Sequence, residues 1–212
     1  MGLAVFGGTF DPVHFGHLRS AVEVRQALGI AKVKLIPAGI PAHRGRPVSE
    51  PAQRLEMLRR AIEGVGYLQV DDREIARGGT SYMIETLESI RAEVGADLPL
   101  SLVLGSDAFA QLHQWHRWRE LVDVAHLVIL HRPFAELTID AQVSAWVNDR
   151  RASADQLLAQ PAGLVCDLQL TQLDISATEI RRLVEAGEPI EYLLPAGVID
   201  YIRQQALYAE AT

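Results

Sequence analysis

The chain has 212 residues, of which 49% are apolar and 22% charged, an ordinary globular composition that buries about 70% of the unfolded surface at this size. The formal net charge of -7 argues against a coat for nucleic acid or an anionic membrane, since those partners are usually met by a basic surface. No apolar run approaches the roughly 20 residues of a bilayer span, and the first residues lack a basic segment followed by an apolar leader, so a cytoplasmic protein is expected. The single Cys166 has no partner for an internal disulfide or a cysteine zinc cluster and is assigned no chemistry.

Leu3 to Phe6 reads as a short buried strand, followed by a helix starting near Phe15, with Leu18, Ala21, Val22 and Leu28 on one face and Gly29 as its stop. Lys32 to Pro37 is a second strand. The Pro/Gly-rich segment Pro37 to Pro41 reads as a loop without regular structure. A helix follows, with Ser49 as expected cap, Pro51 in the first turn, and Leu55, Leu58 and Ile62 at helical spacing. Leu68 to Val70 suggests another strand. After Gly78-Gly79, the residues Met83, Ile84, Leu87, Ile90 and Val94 mark a helix.

Leu100 to Leu104 and Leu127 to Leu130 are continuous apolar runs, the pattern of parallel strands covered on both faces. Between about Phe134 and Pro161 signals are sparse, with one possible helical stripe of Ile139, Val143 and Val147. Leu164 to Cys166 is a candidate last strand. Ile180, Leu183 and Val184 then define a helix ending at Gly187, and Val198 to Leu207 a terminal one. The alternation predicts a doubly wound α/β protein with a mainly parallel sheet. We expect a single domain over 1–212, with the helical part from about 176 to 212 packed on it.

The richest stretch is Gly7-Gly8-Thr9-Phe10-Asp11-Pro12-Val13-His14-Phe15-Gly16-His17, directly after the first strand. Gly-Gly and Asp-Pro are common turn elements and a lone histidine is usually structural. Here the pieces form an ordered set at a βα junction. Glycines let a ligand approach the backbone, a helix N-terminus aims N–H groups at an anion, and His14 and His17, three apart, share one side. That combination reads as a phosphate-handling site. In Ser176-Ala177-Thr178-Glu179-Ile180-Arg181, a capping box of Ser176 and Glu179 explains a helix start. The same residues also suit phosphate, through Ser176, Thr178, nearby N–H groups and the forked donor Arg181, provided Glu179 points away or is screened by Arg182.

Three further groups stand after strands. Ser106 and Asp107 of Gly105-Ser106-Asp107 are explained equally well as helix-start residues. Thr80 or Ser81 suits an N-cap. His43, Arg44, Arg46 and Arg54 form a basic cluster that could capture phosphate, although a solvated loop is the commoner outcome. His113, Trp115, His116 and Trp118 crowd one stretch, without the ligand spacing of a zinc site.

The run Gly8-Thr9-Phe10-Asp11-Pro12-Val13-His14-Phe15-Gly16-His17 matches every fixed position of the Gly-x-Phe-x-Pro-x-His-x-Gly-His signature and resembles the nucleotidyltransferases that carry it. Ser176-Ala177-Thr178-Glu179-Ile180-Arg181 is similar to their second signature. With Pro41-Ala42-His43-Arg44, Gly79-Thr80-Ser81-Tyr82, the Trp115 region and His131-Arg132-Pro133 in family order, nearly the whole chain resembles the nicotinate-nucleotide adenylyltransferases. One departure is Arg44, where many relatives have Lys.

That resemblance implies a Rossmann-like nucleotidyltransferase fold and an enzyme joining ATP and nicotinate mononucleotide. It implies His14, His17 and Arg181 as catalytic residues. Gly7, Gly8, Thr9, Phe10, Gly16, Gly105, Asp107, Arg132, Ser176 and Thr178 would face ATP, with Asp107 on a ribose. Arg44, Thr80, Ser81, Tyr82, Trp115 and His116 would face the mononucleotide, Trp115 stacking on its ring and Trp118 merely packing. Mg²⁺ would be carried by the ATP phosphates, with no metal held by the protein. The rivals are an adenylyl- or cytidylyltransferase for another acceptor such as nicotinamide mononucleotide or phosphopantetheine, a class I aminoacyl-tRNA synthetase fragment, and a nucleotide-binding sensor without turnover.

Overall fold

The computed structural model describes residues 2–41, 47–131, 139–171 and 173–209. Six strands form the main sheet: β1 (Leu3–Gly8), β2 (Lys32–Pro37), β4 (Leu68–Val70), β6 (Leu100–Gly105), β7 (His126–His131) and β8 (Val165–Gln169). Every pairing in it is parallel, in the order β4-β2-β1-β6-β7-β8. Numbered only among themselves, these strands run 3-2-1-4-5-6, the order of doubly wound sheets whose direction of winding reverses between the first and fourth strands.

The apolar runs divide by alternation. Ala4, Val33, Leu35, Val103, Val128 and Cys166 face one core, while Val5, Ile36, Leu102, Leu104, Leu127 and Ile129 face the other. On the first face lie α1 (Phe15–Ala27), α2 (Pro51–Ala61), α8 (Ala177–Glu185) and α9 (Ala196–Gln204). Opposite them are α4 (Met83–Val94), α5 (Ser106–Ala110), α6 (Leu121–Val124) and α7 (Ala141–Asn148). Burial on both faces is what the uninterrupted apolar strands required. Gly29 and Gly187 follow their helices at φ +61° and +68°, left-handed positions that glycine takes without a Cβ penalty.

Several expectations need correction. Ile40–Pro41 is a strand, β3, pairing in parallel with β5 (Thr80–Ser81), so the Pro/Gly-rich segment contains regular pairing. Proline at the end of so short an edge strand removes little hydrogen bonding. Ser49 does not cap α2. Glu50 does, in a box with Gln53, because the Ser49 hydroxyl is drawn to Asp11.

Neither Thr80 nor Ser81 caps α4, whose N-cap residue is Tyr82, and Gly105 rather than Ser106 precedes α5. A short helix, α3 (Arg73–Arg77), was not legible, since its five residues carry no apolar period. Val143 and Val147 are buried as the sparse stripe predicted, and Trp118 packs in the core against the edge of Trp146. The terminal helix stops at Gln204 rather than Leu207.

Candidate active site

A cavity of about 460 Å³ opens beyond the carboxyl ends of β1 and β6, at the switch in winding. One wall is the segment Phe6 to Asp11 with His17, Ala177, Thr178 and Arg181. Another is Ser81, Tyr82 and Met83, and a third is Gly105, Asp107, Ala108, Trp115 and His116. Described residues of the Gly7–His17 run, of Gly79–Tyr82, of Gly105–Asp107, of the Trp115 region and of the Ser176–Arg181 run therefore meet here, although they are scattered along the chain, whereas His131 is not among the lining residues and pairs with Asp167.

The glycines have different reasons. A Cβ on Gly7 would lie 2.4 Å from the Met83 side chain, and one on Gly16 would lie 2.9 Å from His14 Nδ1. Gly16 thus makes room for the His14 ring itself. Gly105 faces open space, with nothing within 4 Å of an added Cβ, and leaves the cavity floor accessible. Phe10 holds a left-handed backbone at φ +52° with its ring buried. Such strain in a non-glycine residue persists only where its surroundings fix it, and it gathers at functional sites.

His14 and His17 are tied together at the start of α1. The His17 N–H donates to the His14 carbonyl at 3.0 Å, and His17 Nδ1 accepts the His14 N–H at 3.3 Å. In the neutral ring this leaves the His17 proton on Nε2. The two rings lie 3.8 Å apart at 32°, and Phe10 meets His17 edge-on at 5.0 Å. His17 lines the cavity, whereas His14 is 5% exposed and lies outside the cavity lining.

Arg181 reaches back from α8, donating to the Asp11 carbonyl at 2.6 Å and to Thr178 Oγ1 at 3.3 Å. Ser176 caps α8 by accepting the Glu179 N–H, and it does not line the cavity. Glu179 is paired with Arg182 at 2.8 Å, the screening that the sequence reading expected of it, and that guanidinium holds its carboxyl below the usual range. The Asp11 carboxylate accepts the Val48 N–H at 2.7 Å, the Ser49 N–H and hydroxyl, and the Tyr208 hydroxyl at 2.6 Å. Burial, with the Asp11 contact next, pushes the Tyr208 phenol well above its ordinary range. The sequence singled out neither Ser49 nor Tyr208 as a support of this loop. Only folding brings Tyr208 to Asp11.

Tyr82 and His116 rings stand 4.7 Å apart beside half-buried Trp115. Ser81 lines the cavity while its hydroxyl accepts the Gly39 N–H at 2.9 Å; Thr80 is exposed and outside the lining. Arg54 corrects the basic-cluster expectation. It is fully buried, donating to the Thr9 and Gly39 carbonyls at 2.9 Å each, and so is not displayed to a ligand. His43, Arg44, Arg46 and Arg132 lie outside the described residues.

A Rossmann-like parallel sheet with a glycine loop, histidines and arginine at its switch point defines a nucleotide-handling α/β protein of the nucleotidyltransferase class. The family model for cytidylyltransferase-like proteins matches residues 5–183. A probable nicotinate-nucleotide adenylyltransferase from Marinobacter nauticus is 47% identical over 205 residues, covering 96% of this chain and 95% of the relative. One from Methylococcus capsulatus is 45% identical over 210 residues, covering 98% and 100%. The chain belongs to the cytidylyltransferase-like family and, within it, to the nicotinate-nucleotide adenylyltransferases.

Among solved structures, the Plasmodium falciparum nicotinic acid mononucleotide adenylyltransferase complexed with NaAD superposes with a TM-score of 0.74 at 17% identity, covering 98% of this chain and 97% of that one. A putative nicotinate-nucleotide adenylyltransferase from Vibrio parahaemolyticus gives 0.65 at 18%, covering 100% and 98%. At such identities these two establish the shared fold.

Proposed function

We propose that the protein joins nicotinate mononucleotide to ATP, forming nicotinate adenine dinucleotide and pyrophosphate on the route to NAD. The observation that carries this reading is a single cavity with two chemically different ends. The glycine loop, His17 and Arg181 suit a polyphosphate, while Tyr82, Trp115 and His116 suit a flat ring. The named relatives supply the substrate pair.

The mononucleotide phosphate attacks the α-phosphorus of ATP in line, and pyrophosphate leaves with the electron pair of the broken P–O bond. A phosphate oxygen is already ionised near neutral pH, so no covalent nucleophile is needed, and alignment with charge neutralisation carries the catalysis. His17 Nε2–H and Arg181 hold the β- and γ-phosphates. His14, stacked on His17, meets the charge that builds on the α-phosphate. Gly7, Gly8, Thr9, Phe10 and Gly16 shape the loop around the triphosphate, Ser176 and Thr178 present the start of α8 to it, and Gly105 with Asp107 receives a ribose. Trp115 stacks on the pyridine ring, and the backbone N–H groups near Gly79 to Ser81 and near His116 receive the nicotinate carboxylate. By resemblance, Arg44 would contact the mononucleotide and Arg132 ATP.

Mg²⁺ would arrive on the ATP phosphates. The cavity lining carries carboxylates at Asp11, Glu74 and Asp107, of which Asp11 is already taken by Val48, Ser49 and Tyr208, and among the described residues no three His, Cys, Asp or Glu side chains converge on a metal-sized site. We read 1–212 as one nucleotidyltransferase unit with α9 packed on α2, acting in the cytoplasm. No helix among the described residues is long and apolar enough to cross a membrane.

The test is pyrophosphate release from ATP and from CTP with a panel of acceptors: nicotinate mononucleotide, nicotinamide mononucleotide and phosphopantetheine. The highest kcat/KM is expected for ATP with nicotinate mononucleotide. A preference for phosphopantetheine overturns the substrate assignment, and ATP binding without pyrophosphate release for any acceptor points to a sensor.

A further inference from the structure

Arg54 stands near the start of α2, fully buried, and is not among the residues lining the cavity. Burying a guanidinium is costly unless its donors are well placed, and burial holds this one below its ordinary pKa. Its two terminal nitrogens diverge. Nη1 donates to the carbonyl of Thr9, on the glycine loop, and Nη2 to the carbonyl of Gly39, between β2 and β3, each at 2.9 Å.

Gly39 is itself fixed from the other side, because its N–H donates to Ser81 Oγ at 2.9 Å and a Cβ there would stand 2.9 Å from the Glu74 carbonyl. A continuous polar chain thus runs from Thr9 through Arg54 and Gly39 to Ser81, next to Tyr82. It joins the wall assigned above to ATP with the wall assigned to the mononucleotide. Thr9 follows the end of β1 and Ser81 ends β5, and the other described contacts around this junction include the packing of Met83 against Gly7 and the Ala38 N–H to Gly8 carbonyl bond at 2.9 Å. A planar fork can hold two carbonyls along separate directions, which a single ammonium on a flexible stem does poorly.

We propose that Arg54 is a positioning residue that sets the separation of the two substrates, touching neither of them. This rests on the two-substrate reading of the cavity. An error of about 1 Å in the alignment of reacting groups can cost about a hundredfold in rate. Loss of the bridge should therefore appear in kcat and leave each substrate's own wall able to bind.

The experiment compares kcat and both KM values of the wild type, Arg54→Lys and Arg54→Gln, with melting followed in parallel. Expected is a fall in kcat of about tenfold to a hundredfold in both variants, with each KM within about threefold of wild type. Arg54→Lys keeps the charge and is the variant expected to fold if Arg54→Gln does not. An Arg54→Lys enzyme with near wild-type kcat means that buried charge alone suffices and overturns the proposal, as does a rise in KM with kcat unchanged. Wild-type protein with no turnover for any acceptor sinks the parent reading together with its substrate pair. Wild-type turnover with an unaffected Arg54→Lys sinks the positioning role alone.

Discussion

The Tyr208 hydroxyl donates to Asp11 Oδ1 at 2.6 Å, joining residues 197 apart in sequence at the back of the phosphate loop. The chain beyond α9 bends through left-handed Ala206 and Tyr208, at φ +48° and +62°, and ends its bend on a carboxylate that also holds Val48 and Ser49. Two such non-glycine conformations close together are sustained by the docking of the ring they deliver.

Tyr208→Phe keeps the ring and removes this bond. Hydrogen bonds to charged groups contribute about 1.5–3 kcal/mol, so urea unfolding should show a loss of about 2 kcal/mol. A midpoint unchanged from wild type would mean that the hydroxyl contributes nothing there.

His17→Ala should reduce kcat by about a hundredfold or more, the cost of about 3 kcal/mol for one preorganised donor. His14→Ala should match it in kcat and also lower stability, because the 5%-exposed ring is packed against that of His17. Steady-state kinetics on folded variants decide this. A near-normal kcat in either one removes that histidine from the chemistry.

Gly16→Ala and Gly105→Ala separate two uses of glycine. The first forces a Cβ to within 2.9 Å of the His14 ring and should lower kcat by displacing it. The second enters open space at φ -66°, so melting should hardly move while the KM for ATP rises several-fold. Equal ATP affinity in Gly105→Ala would show that no ligand comes close to that backbone.

His126 is fully buried on β7, its Nε2 bonded to the Gln160 carbonyl at 2.9 Å and its Nδ1 accepting the Leu164 N–H at 3.1 Å. Burial lowers its pKa from the ordinary 6.5. Below that value the unfolded chain therefore binds more protons than the folded one, and stability falls as pH drops from about 6.5, with the full contribution present above it. Urea unfolding between pH 5 and 8 should show a slope for the wild type that is smaller in His126→Gln. Parallel curves for the two proteins would assign the pH dependence to other groups.

Much of the frame was legible because local chemistry repeats. Continuous apolar runs such as Leu127 to Leu130 mark strands covered on both sides, Gly29 and Gly187 mark helix ends, and Ser176 announces α8. Elements too short to show a period escaped, α3 among them. So did β3 and β5, two residues each, whose pairing is decided by neighbours 40 positions away. Ser49 illustrates the limit: its local pattern favours a helix cap, but Asp11 is the stronger partner for its hydroxyl once the fold brings them together.

The sequence by itself determined the doubly wound α/β class, the glycine-histidine loop at the first crossover and the family, since periodicity and motif spacing are properties of neighbouring residues. Only the tertiary structure decided that His17 borders the cavity while His14 is packed behind it, that Arg54 is a buried bridge rather than a displayed cation, and that Tyr208 supports Asp11. Those outcomes depend on which groups lose water and which donors then find acceptors, and such pairings are made across the fold rather than along the chain.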